Sequence, residues 1–257
     1  MSATTAKKTA DHSAWVAKRI HSFVGIVPLG VYLVLHLSRN LATLVSPEAF
    51  DAAVAATWAK PINYVWTVLL VYIPLIYHAL YGTKLALSGE KKSISKYMNR
   101  ENLRFALQRL SAIGLLGFLG AHLFLTRAHL LFGWVEGGKI TYGYFAEHMW
   151  HNPVTAVTYL FGILAAAYHL GNGVGTFCIS WGISTGKRGI QLAEYIALGF
   201  GIFLLILGYA AVLGFFLHDF TNTRITGGPL APGSAMNVLF ENFKAFTPAG
   251  ILDLFKH

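Results

Sequence analysis

The chain has 257 residues, 55% hydrophobic and only 12% charged, against about 25% charged in an ordinary soluble domain, so its composition is that of a membrane protein. Its single cysteine, Cys178, excludes an internal disulfide, a Cys₄ zinc site and an iron–sulfur cluster held by this chain alone. The net charge of +9 does not point to nucleic acid, because Lys and Arg sit in short breaks between apolar runs, where they set membrane topology.

Residues 1–19 are polar and lack the apolar core of a cleavable signal. They read as a cytoplasmic tail. Apolar runs long enough to cross a bilayer follow at about 20–45, 62–87, 106–132, 153–180 and 190–217. The breaks between them, such as SPEAFDAA and STGKRG, are polar or rich in turn formers. Pro28 and Pro74 fall within spans, and each predicts a local kink because it removes one helix hydrogen bond. The expected fold is all-α: a bundle of five transmembrane helices over 20–217, followed by a tail, 218–257. Thirteen of the 20 Lys and Arg lie on the side of the N-terminus, in the tail, in 84–109 and at Lys187-Arg188; seven lie opposite. The excess of positive charge marks the cytoplasmic side, which puts the N-terminus inside and the C-terminal tail outside.

Four of the spans carry a histidine well inside: YLVLHLSRN (His36), IPLIYHALYG (His78), LGAHLFLTR (His122) and AAAYHLGNG (His169). An ionisable side chain at that depth is costly and marks a function or a partner. One buried histidine is more often structural than a ligand. Four at matched depths are not. At 1.5 Å rise per residue, His36 and His122 lie about 24 Å from the inner ends of their helices, and His78 and His169 about 13 and 17 Å. The histidines sort into an outer pair and an inner pair. Alternate helices of an up-down bundle face each other diagonally, and a flat macrocycle between two imidazoles fits that gap. Zinc or copper wants three or four ligands at one level. Two per level suits haem iron with both axial positions filled, which carries electrons and does not activate oxygen. Helices 1–4 are therefore expected to enclose two haems. Gly25, Gly82 and Gly173 share helix faces with the ligands and are expected to admit a flat group; close helix packing through small residues is the plainer reading of any one of them. His129 is seven residues after His122, on the same face of a regular helix, and is the second choice for the outer ligand. His21, His148, His151 and His218 fall at the membrane interfaces.

The stretches KRIHSFVGIVPLGVYLVLHL, IPLIYHALYG, LQRLSAIGLLGFLGAHLF and YHLGNGVGTFCISWGI resemble the cytochrome b558 membrane anchors of bacterial succinate dehydrogenases, the five-helix, two-haem type also seen in related fumarate reductases. The resemblance covers about residues 15–215. It implies two haem b groups on His36, His78, His122 and His169. It also implies a flavoprotein subunit with FAD, an iron–sulfur subunit, menaquinone as membrane substrate and a place in the bacterial cytoplasmic membrane. The dicarboxylate chemistry then belongs to another subunit. Related two-haem fumarate reductases carry a glutamate shortly before the fourth-helix ligand. Ala166 and Ala167 stand there in this chain, which argues against the proton conduction linked to that glutamate.

On this reading electrons pass from the cytoplasmic side through the inner haem to the outer one and then to quinone. Outward movement gains up to about 2.3 kcal/mol per 100 mV of membrane potential. Haem propionates need cations or hydroxyls, and the inner end offers Arg19, His21, Ser22, Gln108, Arg109 and Ser111. A quinone near the outer haem needs donors, and the outer end offers Arg39, Arg127, His129, Tyr142, Tyr144, Glu147 and His148. Two other classes fit the sequence less well: the anchor of a different two-haem quinone oxidoreductase, and a transporter with a histidine proton relay and no haem.

Overall fold

The computed structural model describes residues 3–88 and 100–222. The tail from 223 and most of the 88–105 loop, with Ser93, lie outside the described residues. Among the described residues there are helices and the turns between them but no strand, with five helices long and apolar enough to cross a membrane: His12–Leu44, Pro61–Leu87, Asn102–Leu131, Pro153–Ser180 and Gly186–His218. Large apolar side chains stand exposed on every span, for example Val31, Ile76, Ile113, Phe161 and Ile206, as lipid contact requires.

The first span joins α1 (Ala3–Ile26) to α2 (Pro28–Asn40). The break at Val27 comes directly before Pro28, which takes the first position of α2, where its missing N–H costs nothing. In the second span α4 (Pro61–Thr67) reaches α5 (Ile73–Ser88) through a π-helical turn at Val68–Tyr72. There the Ile73 N–H reaches back five residues to the Val68 carbonyl, just ahead of Pro74. The third span is α6 (Arg100–Leu123), a second π turn at Phe124–Ala128, and the short α7 (His129–Leu131). The fourth and fifth are α9 (Pro153–Ser180) and α10 (Gly186–Asn222), joined by a turn in which Gly182 and Gly186 take φ of +71° and +68°, which favours glycine.

The fourth span is the centre of the bundle. Of its most apolar window 44% is buried, against 6% in each of the first three spans. It packs on α6, α10 and α1. Small residues let α9 and α10 touch through their backbones: a Cβ on Gly171 would lie 2.9 Å from both the Ala197 carbonyl oxygen and the Gly201 Cα. Close approach of this kind takes the place of a hydrophobic driving force in lipid.

The breaks after the first and third spans are not loops. They fold into α3 (Pro47–Trp58) and α8 (Tyr142–His151), capped by the Ser46 and Thr141 side chains, which accept from the Ala49 and Tyr144 N–H groups. The Tyr142 N–H donates to Asp51 at 2.6 Å and ties the two together. Phe50, Tyr142, Phe145, Ala146 and Met149 from these helices are buried against Tyr159, Ile163, Val212 and Phe215 of the last two spans. Short amphipathic helices were hidden in the sequence because their apolar side faces another helix and not lipid, so they never form a long apolar run.

Candidate functional site

The structure brings the four histidines together as two pairs. The rings of His36 and His122 have centroids 5.9 Å apart at an interplanar angle of 79°, and those of His78 and His169 are 6.1 Å apart at 89°. The first pair joins the first and third spans, the second pair the second and fourth. A metal–imidazole bond of about 2.0 Å on each side of one ion puts the two ring centroids about 6 Å apart, so each pair is spaced for a single shared ion. Among the described residues there is no group of three or more His, Cys, Asp or Glu of the kind a structural zinc site needs.

Each ring is oriented by a second contact, which settles which nitrogen is left bare. His78 Nδ1–H donates to the His21 carbonyl at 3.1 Å. His122 Nδ1 lies 3.0 Å from the Tyr159 hydroxyl. His169 Nδ1 lies 3.2 Å from Gln108 Nε2 and 3.4 Å from Ser111 Oγ. In all three Nε2 carries no such contact among the described residues. His36 differs: its Nε2 accepts from the Asn40 amide at 3.2 Å, one turn on. Two of the three glycines lie against imidazoles. A Cβ on Gly25 would meet His78 Cε1 at 2.6 Å, and one on Gly82 would meet His21 Cε1 at 3.1 Å. They seat imidazoles. Gly173 makes only an ordinary contact with Ile26. The donor set, two imidazoles per level with Nδ1 held in three of four, fits haem iron.

The inner candidates scatter. His21 stacks on His78 with centroids 4.0 Å apart and planes 9° apart, and its buried Nδ1 has no hydrogen-bond partner among the described residues. Arg19 lies between the Trp15 and Trp181 rings, 4.9 and 5.3 Å from their centroids. Arg109 covers Phe105 at 4.1 Å. Ser22 is half-buried beside His21 in sequence. Gln108 and Ser111 touch His169, as above.

At the outer end Tyr144, His129 and His148 converge. The Tyr144 hydroxyl donates to the Leu125 carbonyl at 2.7 Å and accepts from His129 Nδ1–H at 2.6 Å. His148 Nδ1–H donates to the Tyr144 carbonyl at 2.7 Å, and the two imidazoles are 6.1 Å apart. Burial holds the Tyr144 phenol above its ordinary range, so it stays protonated at any ordinary pH. Arg127 instead covers Trp58 at 4.0 Å. Arg39 and Glu147 are exposed. Tyr142 is buried, its hydroxyl 3.0 Å from both the Gly214 and Phe215 carbonyls, so it packs α8 against α10.

His129 does not share a face with His122. The π turn between them adds a residue to the helix, and one residue is about 100° of rotation. His122 meets His36 and Tyr159, whereas His129 meets Phe124, Trp134, Tyr144 and His148. Sequence reading missed Asn40, Tyr159, Asn172 and Glu194. The last carried a usable signal: an acid inside an apolar span requires a partner, here Arg104.

No family model matches the chain. A search of characterised proteins finds the succinate dehydrogenase cytochrome b558 subunit of Bacillus subtilis (strain 168), 29% identical over 198 residues, covering 77% of this chain and 95% of that protein. This chain is a relative of that cytochrome b558 subunit. The similarity agrees with the family that the sequence resembles and with five apolar spans. The chain is a multi-pass membrane protein.

Proposed function

We propose that this chain is the membrane-anchoring, two-haem cytochrome b subunit of a succinate:quinone oxidoreductase. The observation that carries the reading is the pairing of four membrane histidines at 5.9 and 6.1 Å in a relative of a cytochrome b558 subunit. His78 and His169 would hold the haem nearer the cytoplasm, and His36 and His122 the outer one. Bound haem of this type supplies one-electron transfer with no open iron position. The protein's part is to hold the four rings. The His21 carbonyl and Tyr159 fix two of them; at His36, Asn40 must release Nε2 before it can bind metal. Tyr159 and Phe118 also shield His122, with ring centroids 5.8 and 5.7 Å away.

The remaining parts of the reading follow from charge and chemistry. The basic inner side faces the cytoplasm, where a flavoprotein and an iron–sulfur subunit dock. His21, with its unpartnered buried nitrogen, suits a haem propionate. Tyr144, His129 and His148 offer a neutral phenol and two imidazoles to menaquinone at the outer end. A pyridine haemochrome assay on the purified complex is expected to give two haem b per chain. One or none overturns the reading, and a colourless protein favours a transporter instead. A cysteine introduced at Ser184, in the turn between the fourth and fifth spans, is expected to react only with reagents that reach the cytoplasm. Labelling from outside intact cells reverses the topology.

A further inference from the structure

A chain of polar side chains crosses from the fifth span to His169. Glu194 of α10 pairs with Arg104 Nη1. Arg104 also donates to Asn172 Oδ1 from Nε at 3.0 Å and from Nη2 at 2.8 Å. Asn172 Nδ2 donates to Gln108 Oε1 at 2.8 Å. Gln108 Nε2 lies 3.2 Å from both the Nδ1 and the carbonyl oxygen of His169. Ser111, buried, donates to the Gln108 carbonyl at 3.0 Å and sits 3.4 Å from the same Nδ1.

An amide can be turned either way, but a guanidinium only donates. Arg104 therefore obliges Asn172 to present its oxygen, which leaves the Asn172 NH₂ for Gln108. Gln108 must then present its oxygen to Asn172 and its NH₂ to His169. In that orientation Gln108 cannot accept a proton from the imidazole, and its own NH₂ has the His169 carbonyl to donate to. Of the two side chains at Nδ1, only the Ser111 hydroxyl can accept while its proton goes elsewhere.

We propose that Arg104, held by Glu194, sets the polarity of this chain and makes Ser111 the acceptor of the His169 Nδ1–H, leaving Nε2 bare for iron. This rests on the two-haem reading above. A proton acceptor on a ligating imidazole raises its basicity, and an amide oxygen is a stronger acceptor than an alkyl hydroxyl. Arg104 thus holds the stronger acceptor away from His169 and keeps the inner haem easier to reduce. Arg104, Asn172 and Gln108 act as positioning residues, through His169.

The test is a redox titration of the purified complex, with the inner haem identified by its loss in His78→Ala. Ser111→Ala removes the acceptor and is expected to raise the inner-haem potential. The paired change Arg104→Gln with Glu194→Gln strands no charge and frees Gln108 to turn its oxygen to Nδ1–H. It is expected to lower the potential. Ser111→Thr keeps the hydroxyl and is expected to match the unchanged protein in potential and low-spin EPR signal. A rise in Ser111→Ala together with a fall in the paired variant supports the proposal, and the reverse pair of shifts overturns it. Equal or absent shifts with both haems retained overturn it and leave the two-haem reading standing. If Ser111→Ala loses the inner haem outright, its retention in Ser111→Thr supports the proposal and its loss there overturns it. Fewer than two haems in the unchanged protein removes the reading itself.

Discussion

His78→Ala or His169→Ala is expected to remove one haem and leave the other, because the two pairs share no residue. A macrocycle left with one imidazole loses half its axial bonding. Succinate:quinone activity is expected to fall by more than the roughly 10–100-fold that loss of an outer-shell metal partner costs. Succinate oxidation by a soluble dye is expected to persist, since it needs only the cytoplasmic subunits. His36→Ala or His122→Ala is expected to remove the other haem and spare the first. His129→Ala is the control. Its ring is turned towards Tyr144 and His148 by the π turn, so both haems are expected to remain and only quinone turnover to weaken. The measurement is haem content and redox titration of each variant. If His129→Ala loses a haem while His122→Ala retains two, the outer ligand has been assigned to the wrong residue.

Gly171→Ala is expected to destabilise the bundle far more than its single methyl suggests. The new Cβ would meet the Ala197 carbonyl oxygen and the Gly201 Cα at 2.9 Å, and backbone atoms cannot swing aside as a side chain does. Forcing α9 from α10 is an overpacking change of about 1–3 kcal/mol or more. It acts two residues from His169, so the inner haem is expected to be the first casualty. Gly199→Ala, on the exposed face of α10 with nothing within 4 Å of the added carbon, is expected to be neutral or to gain up to about 1 kcal/mol from helix propensity. Thermal unfolding in detergent, followed by haem absorbance, separates the two. Equal midpoints for both variants would mean that α9 and α10 do not touch as described.

Much of this was legible because a bilayer imposes strong rules on sequence. A span needs about twenty apolar residues, so the five helices read directly from the composition. A histidine in the middle of a span breaks the pattern visibly, and simple rise per residue sorted His36, His78, His122 and His169 into the pairs that the structure places 5.9 and 6.1 Å apart. Helices α3 and α8 were not legible, because they bury their apolar residues against protein and carry no membrane signature. Nor was the register of His129: period counting assumes a regular helix, and the π turn at Phe124–Ala128 violates that assumption without marking the sequence.

The partners of the histidines divide along the same line. By itself the sequence determined the class of the molecule, the number of spans, the side that carries the positive charge and the depth of the four membrane histidines. Those depend on composition and on one-dimensional spacing along a helix. Only the tertiary structure decided that Gly25 and Gly82 seat imidazoles, that Tyr159 reaches His122, and that Glu194 and Arg104 reach His169 through two amides. These contacts join residues far apart in the chain, and their geometry comes from how α6, α9 and α10 pack, which no periodicity within a single helix records.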